Sequence, residues 1–173
     1  MATLLAPRLV RAQEAPPPAY QLAAHQAGVP PAVLYAVALQ ESGMRRNGRL
    51  VAWPWTLNVA GQAGRYATRA EACAALRLAM RSVASTRIDV GLGQLNLGYQ
   101  RHRYEHACDL LKPYYNLALA ATILGEQKDD DGWLMAMGRY HRPAGGEAAA
   151  RYRRSVERHL RRVLGSASNV ELR

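Results

Sequence analysis

Apolar residues first take up a helical rhythm over residues 20–27, and Gly28 closes that stretch. Pro30 and Pro31 open a stronger helix, because proline already has the backbone angle of a first helical turn and lacks an N–H that would go unpaired there. In it Leu34, Val37, Ala38 and Glu41 stand at i, i+3, i+4 and i+7, so they share one face, and Gly43 is the expected stop.

From residue 44 to 66 the rhythm changes. Asn47-Gly48, Trp53-Pro54, Gly61 and Gly64 punctuate short segments, and Thr56-Leu57-Asn58-Val59 alternates polar with apolar as a half-buried strand does. Arg65-Tyr66-Ala67 is placed to pair with it across residues 60–64. Thr68 and Glu71 then have the spacing of a capping box, and the helix behind them carries Ala72, Leu76, Ala79, Met80 and Val83 on one face with Cys73 beside it. Ile88 to Leu92 reads as a short strand or extended turn. Further helices are predicted over residues 116–127, 133–141 and 147–164, the last with Tyr152, Val156, Leu160 and Val163 inward and six arginines elsewhere. Helices, then strands, then helices predict an α+β fold, predominantly helical, with a small β insertion after the Glu41 helix.

The 173 residues fit one domain. Residues 20–165 form it, between a disordered tail or export-signal remnant over 1–19 and a frayed tail over 166–173. No apolar run approaches the ~20 residues of a spanning helix, so no integral membrane segment is expected. The start is ambiguous. Its apolar stretch is broken by Pro7 and Arg8, and a basic start is missing, yet Val10-Arg11-Ala12 resembles the end of a signal peptide. A clipped signal and a plain tail stay open.

Charge narrows the partners. With 23 Lys+Arg against 13 Asp+Glu, the net charge of +10 favours polyanions such as nucleic acid, anionic lipid or cell-wall polymer. No helix-turn-helix and no interleaving of aromatic with basic residues supports nucleic acid. Cys73 and Cys108 would pair as a disulfide in an exported protein and stay buried thiols in the cytosol.

Two acids attract chemistry. Glu41 ends an apolar stripe, so packing draws its carboxyl inward, and burial together with the negative end of the helix dipole disfavours its ionised form. A carboxylic acid that keeps its proton near neutral pH is what a glycosidic leaving oxygen needs. Periodicity alone also allows an exposed last-turn glutamate. Separately, His102-Arg103-Tyr104-Glu105-His106 matches the inverted zinc-peptidase pattern, with two histidines four apart on an assumed helix and Glu105 as base. Its flanks are polar, and no third ligand is evident.

The segments Ala38-Leu39-Gln40-Glu41-Ser42-Gly43, Pro54-Trp55-Thr56-Leu57-Asn58-Val59-Ala60-Gly61, Val90-Gly91-Leu92-Gly93-Gln94-Leu95-Asn96, Asn116-Leu117 with Ile123-Leu124, and Arg139-Tyr140-His141 occur in one order over residues 33–143. Together they resemble the lytic transglycosylases of the lysozyme-like superfamily, especially the small enzymes that serve secretion and conjugation machines. The resemblance implies a lysozyme-like fold and a periplasmic monomer without cofactor or metal. It implies cleavage of the bond between N-acetylmuramic acid and N-acetylglucosamine in peptidoglycan, with a 1,6-anhydro product. Glu41 would be the sole acid and base. Gln94 and Asn96 would meet N-acetyl and hydroxyl groups, Ser42 would touch substrate or brace the glutamate, and Tyr140 would donate to Glu41. Asn58 would line the groove where other glycosidases keep a second acid, leaving Asp89 as a structural residue before Gly91. Gly93 stands where the family has Met, Ala120 where it often has Gly, and His141 where it has Asn. A catalytically degenerate wall-binding module is the alternative.

Overall fold

The computed structural model describes residues 14–165. Its axis is α2 (Pro31–Ser42), opened by Pro31 as expected. Every residue from Val33 to Leu39 is buried. The helix is thus apolar all round, which marks a central helix rather than one with a single inward stripe. Each of Val33, Leu34, Val37 and Leu39 contributes roughly 1.5–3 kcal/mol by leaving water. Around it pack α1 (Pro18–Gln26), α4 (Pro113–Glu126), α5 (Gly132–His141) and α6 (Gly146–Leu164). Among the described residues no single helix is long and apolar enough to cross a membrane.

Gly43 does not stop α2 in the left-handed conformation. Its φ of −58° is ordinary, and the chain turns there directly into a strand. A side chain at this position would collide with the carbonyl of Leu39, so close approach is what requires glycine. The strand β1 (Gly43–Arg46) and β2 (Arg49–Ala52) form a hairpin that the sequence reading left as punctuation. Its turn residues Asn47 and Gly48 have φ of 49° and 75°, the left-handed pair that a two-residue hairpin demands.

A second, four-stranded antiparallel sheet follows in the order β4-β3-β5-β6. Its strands are β3 (Thr56–Val59), β4 (Gln62–Arg65), β5 (Ile88–Val90) and β6 (Leu95–Asn96). The partner of β3 begins three residues earlier than the predicted Arg65, because Ala60 and Gly61 (φ 53° and 90°) close a tight two-residue turn. Cross-strand pairing aligns Leu57, Val90 and Leu95 in one row, all buried, and Asn58, Asp89 and Asn96 in the neighbouring row on the opposite face.

The capping box forms at the start of α3 (Arg69–Ala79): Glu71 N–H donates to Thr68 Oγ1 at 3.2 Å, and Ala67 N–H to the Glu71 carboxylate at 3.0 Å. Ala72 and Leu76 are buried, while Met80 lies beyond the helix end and is exposed. Cys73 is bonded to Cys108, which ties α3 to the 3₁₀ turn Ala107–Leu111. The helix α4 starts at Pro113, three residues before the predicted Asn116, because proline fits its first turn.

In α6, Tyr152, Val156, Leu160 and Val163 face inward as predicted. Glu147 pairs with Arg151 and Arg154, and Glu157 with Arg153 and Arg161. Of the residues assigned above to the tail, Pro18 and Ala19 open α1, and Glu14 lies against α6. Glu14 N–H donates to Val163 O, and its carboxylate accepts from Tyr35 and pairs with Arg162. The remaining tail assignments, 1–13 and 166–173, lie outside the described residues.

Candidate active site

Glu41 sits in the last turn of α2, where its carboxyl meets Tyr152 of α6. Burial is the largest influence on that carboxyl and raises its pKa from 4.5 to about 7. The negative charge of Asp89 raises it further. A hydrogen bond from Tyr152 opposes both: its hydroxyl donates to Glu41 Oε1 at 2.5 Å. Glu41 therefore holds its proton over much of the neutral range.

Tyr152 was read from the sequence only as part of the inward stripe of α6. A tyrosine on a buried face carries a hydroxyl that needs a partner, and that was the available signal. Tyr140, expected to donate to Glu41, donates instead to the carbonyl of Gly93 at 2.7 Å. Both phenols stay well above their usual pKa, burial first and the charge of Glu41 second. Next to Tyr140, His141 stacks on the Tyr152 ring, with centroids 4.6 Å apart and planes 3° from parallel. The chain thus braces the acid's donor with an imidazole.

Ser42 is fully buried, so it braces rather than touches a ligand. Its Oγ lies 3.0 Å from Ala38 O and 2.9 Å from Leu92 O, and its single proton links α2 to the loop 91–94. Asn116, buried in the first turn of α4, holds the same loop from below. Its Nδ2 donates to Val90 O at 2.9 Å and Leu110 O at 2.8 Å, and its Oδ1 accepts from Gly93 N at 2.8 Å. A side chain on Gly91, which has φ 84°, would collide with this amide.

The two departures at Gly93 and Ala120 explain each other. A Cβ on Gly93 would lie 2.7 Å from Ala120 Cβ and 2.8 Å from the Tyr140 hydroxyl. The methyl of Ala120 fills the space that a side chain at position 93 would take, so the loop is close-packed against α4 and Tyr140 there.

Gln94 adopts φ 46°, and its Nε2 donates to Gly91 O at 2.8 Å and Thr56 O at 3.2 Å. Its amide oxygen is what is left for a ligand. Asn96 is different. Its Oδ1 accepts from Gly98 N and Tyr99 N, both at 3.1 Å, and its Nδ2 donates to Thr86 O at 3.0 Å and Asp89 Oδ1 at 2.8 Å. Both ends of this amide are committed to the loop, so Asn96 is a structural residue, contrary to the role expected from its sequence position. Asn58 is the reverse case: its Oδ1 is buried with no hydrogen-bond partner among the described residues. Asp89, beside it, has a raised pKa, with burial the largest cause and the Asn96 hydrogen bond and His141 opposing it.

The inverted zinc-peptidase pattern does not form its helix. His102 lies in the 3₁₀ turn Arg101–Arg103, and His106 comes after an extended Tyr104 whose side chain is buried. The i, i+4 alignment of two ligands is therefore lost. Among the described residues no group of three or more His, Cys, Asp or Glu is placed to hold a metal ion. This segment does border a surface depression of about 430 Å³, which includes none of the residues around Glu41.

The arrangement around Glu41 is thus a buried carboxyl with a raised pKa, hydrogen-bonded by a tyrosine and within electrostatic reach of Asp89. Such a group delivers a proton to a bound leaving group and takes one back. No family model, curated protein or solved structure matches the chain.

Proposed function

We propose that this protein is a lytic transglycosylase of lysozyme-like fold that cleaves the N-acetylmuramic acid–N-acetylglucosamine bond of peptidoglycan. The observation that carries this reading is the carboxyl of Glu41, with its pKa near 7 and its rotamer held by Tyr152. An acid with that pKa serves both halves of the reaction at neutral pH.

In the first half Glu41 gives its proton to the bridging oxygen, and the C1–O bond breaks with its electron pair leaving on that oxygen. In the second half the Glu41 carboxylate takes the proton of the muramoyl 6-hydroxyl, whose oxygen closes on C1. The product is a 1,6-anhydro ring, no water is consumed, and the acid is regenerated. The Oε1 of Gln94 and the Oδ1 of Asn58 are acceptors for sugar N–H and O–H groups. The net charge of +10 suits a polymer whose peptide stems carry carboxylates. The Cys73–Cys108 disulfide fits an oxidising compartment such as the periplasm. Local opening of the wall for a secretion or conjugation machine is the corresponding role, carried out by a monomer without cofactor.

Mass spectrometry of digested peptidoglycan tests this. The wild type should release anhydromuropeptides, and Glu41→Gln should release none while still binding the wall. Reducing ends in place of anhydro ends would make the enzyme a hydrolase. Binding without cleavage by the wild type would favour the degenerate wall-binding module.

A further inference from the structure

His141, where the resemblance implies an asparagine, has no task in the proton transfers above. It is the last residue of α5, and its neighbour Tyr140 ties that end of the helix to the loop 91–94 through Gly93 O at 2.7 Å. The imidazole takes part in no hydrogen bond among the described residues. What it touches is Tyr152: the two rings lie 3° from parallel with centroids 4.6 Å apart. That spacing falls within the about 4.5–7 Å at which aromatic rings attract. An asparagine has no ring to lay on a phenol.

Tyr152 in turn donates to Glu41 Oε1 at 2.5 Å, so that oxygen is committed to accepting. A neutral carboxyl has one hydroxyl oxygen and one carbonyl oxygen. With Oε1 as the acceptor, the proton of Glu41 sits on Oε2, which makes no hydrogen bond among the described residues. The phenol thus selects the oxygen that carries the acid's proton. Its side chain has torsions of its own, and a ring packed flat on one face restricts the swing that would carry the hydroxyl away. The end of α5 supplies that ring from a fixed frame, since Tyr140 holds it to the loop.

We propose that His141 is a positioning residue for the reaction at Glu41: its stack holds the Tyr152 hydroxyl on Oε1 and so keeps the transferable proton on Oε2. This rests on the transglycosylase reading and adds to it the oxygen that does the work. Oε2 gives its proton to the bridging oxygen, and the C1–O electron pair leaves on that oxygen. Oε2 then takes the proton of the muramoyl 6-hydroxyl as the 6-oxygen closes on C1, with Oε1 still engaged by Tyr152. His141 acts by shape and not by charge. Partial burial, opposed by Asp89 and helped by Arg142, holds its pKa below the usual 6.5, so the ring is neutral where Glu41 titrates, at about 7. The titratable groups facing the stacked pair are Glu41 on α2, Asp89 on β5 and Tyr140 on α5.

His141→Ala and His141→Phe test this on purified peptidoglycan. His141→Ala removes the stack, and kcat should fall about five- to tenfold with KM little changed, because a loosened phenol misplaces the acid. The Tyr152 hydrogen bond lowers the Glu41 pKa, so loosening it should move the alkaline limb of the pH–rate profile to higher pH. His141→Phe restores a flat ring without a titrating group and should recover most of both changes. In a Tyr152→Phe background no hydroxyl remains to be placed, so His141→Ala should there cost less than about twofold. An undiminished effect in that background would mean that His141 touches substrate directly, and would overturn the proposal. So would a limb that stays in place or moves to lower pH, the mark of a ring that only supports the fold or shields Glu41 from water. The Glu41 pKa can also be read without substrate, by carbon-13 NMR titration of its carboxyl. It should rise in His141→Ala and not in His141→Phe, and an unmoved value in His141→Ala would overturn the proposal as well. A wild type that releases no anhydromuropeptides sinks the transglycosylase reading, and the NMR titration then still decides whether the stack governs Glu41. An active wild type with an indifferent His141→Ala sinks only the positioning role.

Discussion

Replacing Glu41 by glutamine should make the folded protein more stable, and more so as pH rises. In the unfolded chain the carboxyl ionises at its ordinary pKa of 4.5, whereas in the fold it holds its proton up to about 7. Between those values the folded state binds more protons than the unfolded one, so stability falls as pH increases. Each unit of displacement corresponds to about 1.36 kcal/mol, so the wild type loses about 3 kcal/mol between pH 4 and pH 8.5 from this residue alone. Glutamine is isosteric, keeps an oxygen for the Tyr152 hydroxyl and carries no titrating group. The stability gap between Glu41→Gln and wild type should therefore be near zero at pH 4, about 1 kcal/mol at pH 5, and about 3 kcal/mol above pH 8. Urea unfolding at four pH values, with the disulfide intact in both proteins, reads this directly. A gap that stays constant across the range would mean that the carboxyl titrates normally in the fold, and the burial argument for its acidity would fail.

Tyr152→Phe removes the hydrogen bond that lowers the Glu41 pKa, so the alkaline limb of activity should move to higher pH. Its rate should drop about ten- to a hundredfold from lost positioning. Gly93→Ala forces a methyl against Ala120 and the Tyr140 hydroxyl and should cost about 1–3 kcal/mol in denaturant unfolding, most of which Ala120→Gly in the same chain should restore. Replacing both Cys73 and Cys108 by alanine frees a loop of 35 residues in the unfolded chain and should lower stability by about 4 kcal/mol. A reductant should have the same effect on the wild type and none on the double variant.

Much of the fold was legible because its helices carry their own signals. Pro31, the Thr68–Glu71 box and the inward stripe of α6 are local features, and each is found where the sequence placed it. The β1–β2 hairpin was missed because Asn47-Gly48 is flanked by arginines rather than by an alternating apolar run, so only the turn announced it. The site was legible in part. Glu41 stands at the end of a readable helix, but its donor is chosen in three dimensions: Tyr140 and Tyr152 are equivalent on paper, and the packing of α5 against the loop 91–94 takes the first away. The opposite fates of Asn58 and Asn96 have the same origin. Both are strand asparagines, yet Thr86, Asp89 and the turn after β6 together fill one amide, whereas the oxygen of the other has no partner among the described residues.

The hydrogen bond between Tyr152 and Glu41 spans 111 positions of the chain. Tyr152 belongs to the last helix of the described residues, which packs on α2, so the setting that raises the Glu41 pKa is completed from the far end of the chain. A chain truncated ahead of α6 should therefore hold the Glu41 carboxyl in a wetter setting, with its pKa closer to 4.5, which a titration of that fragment would read.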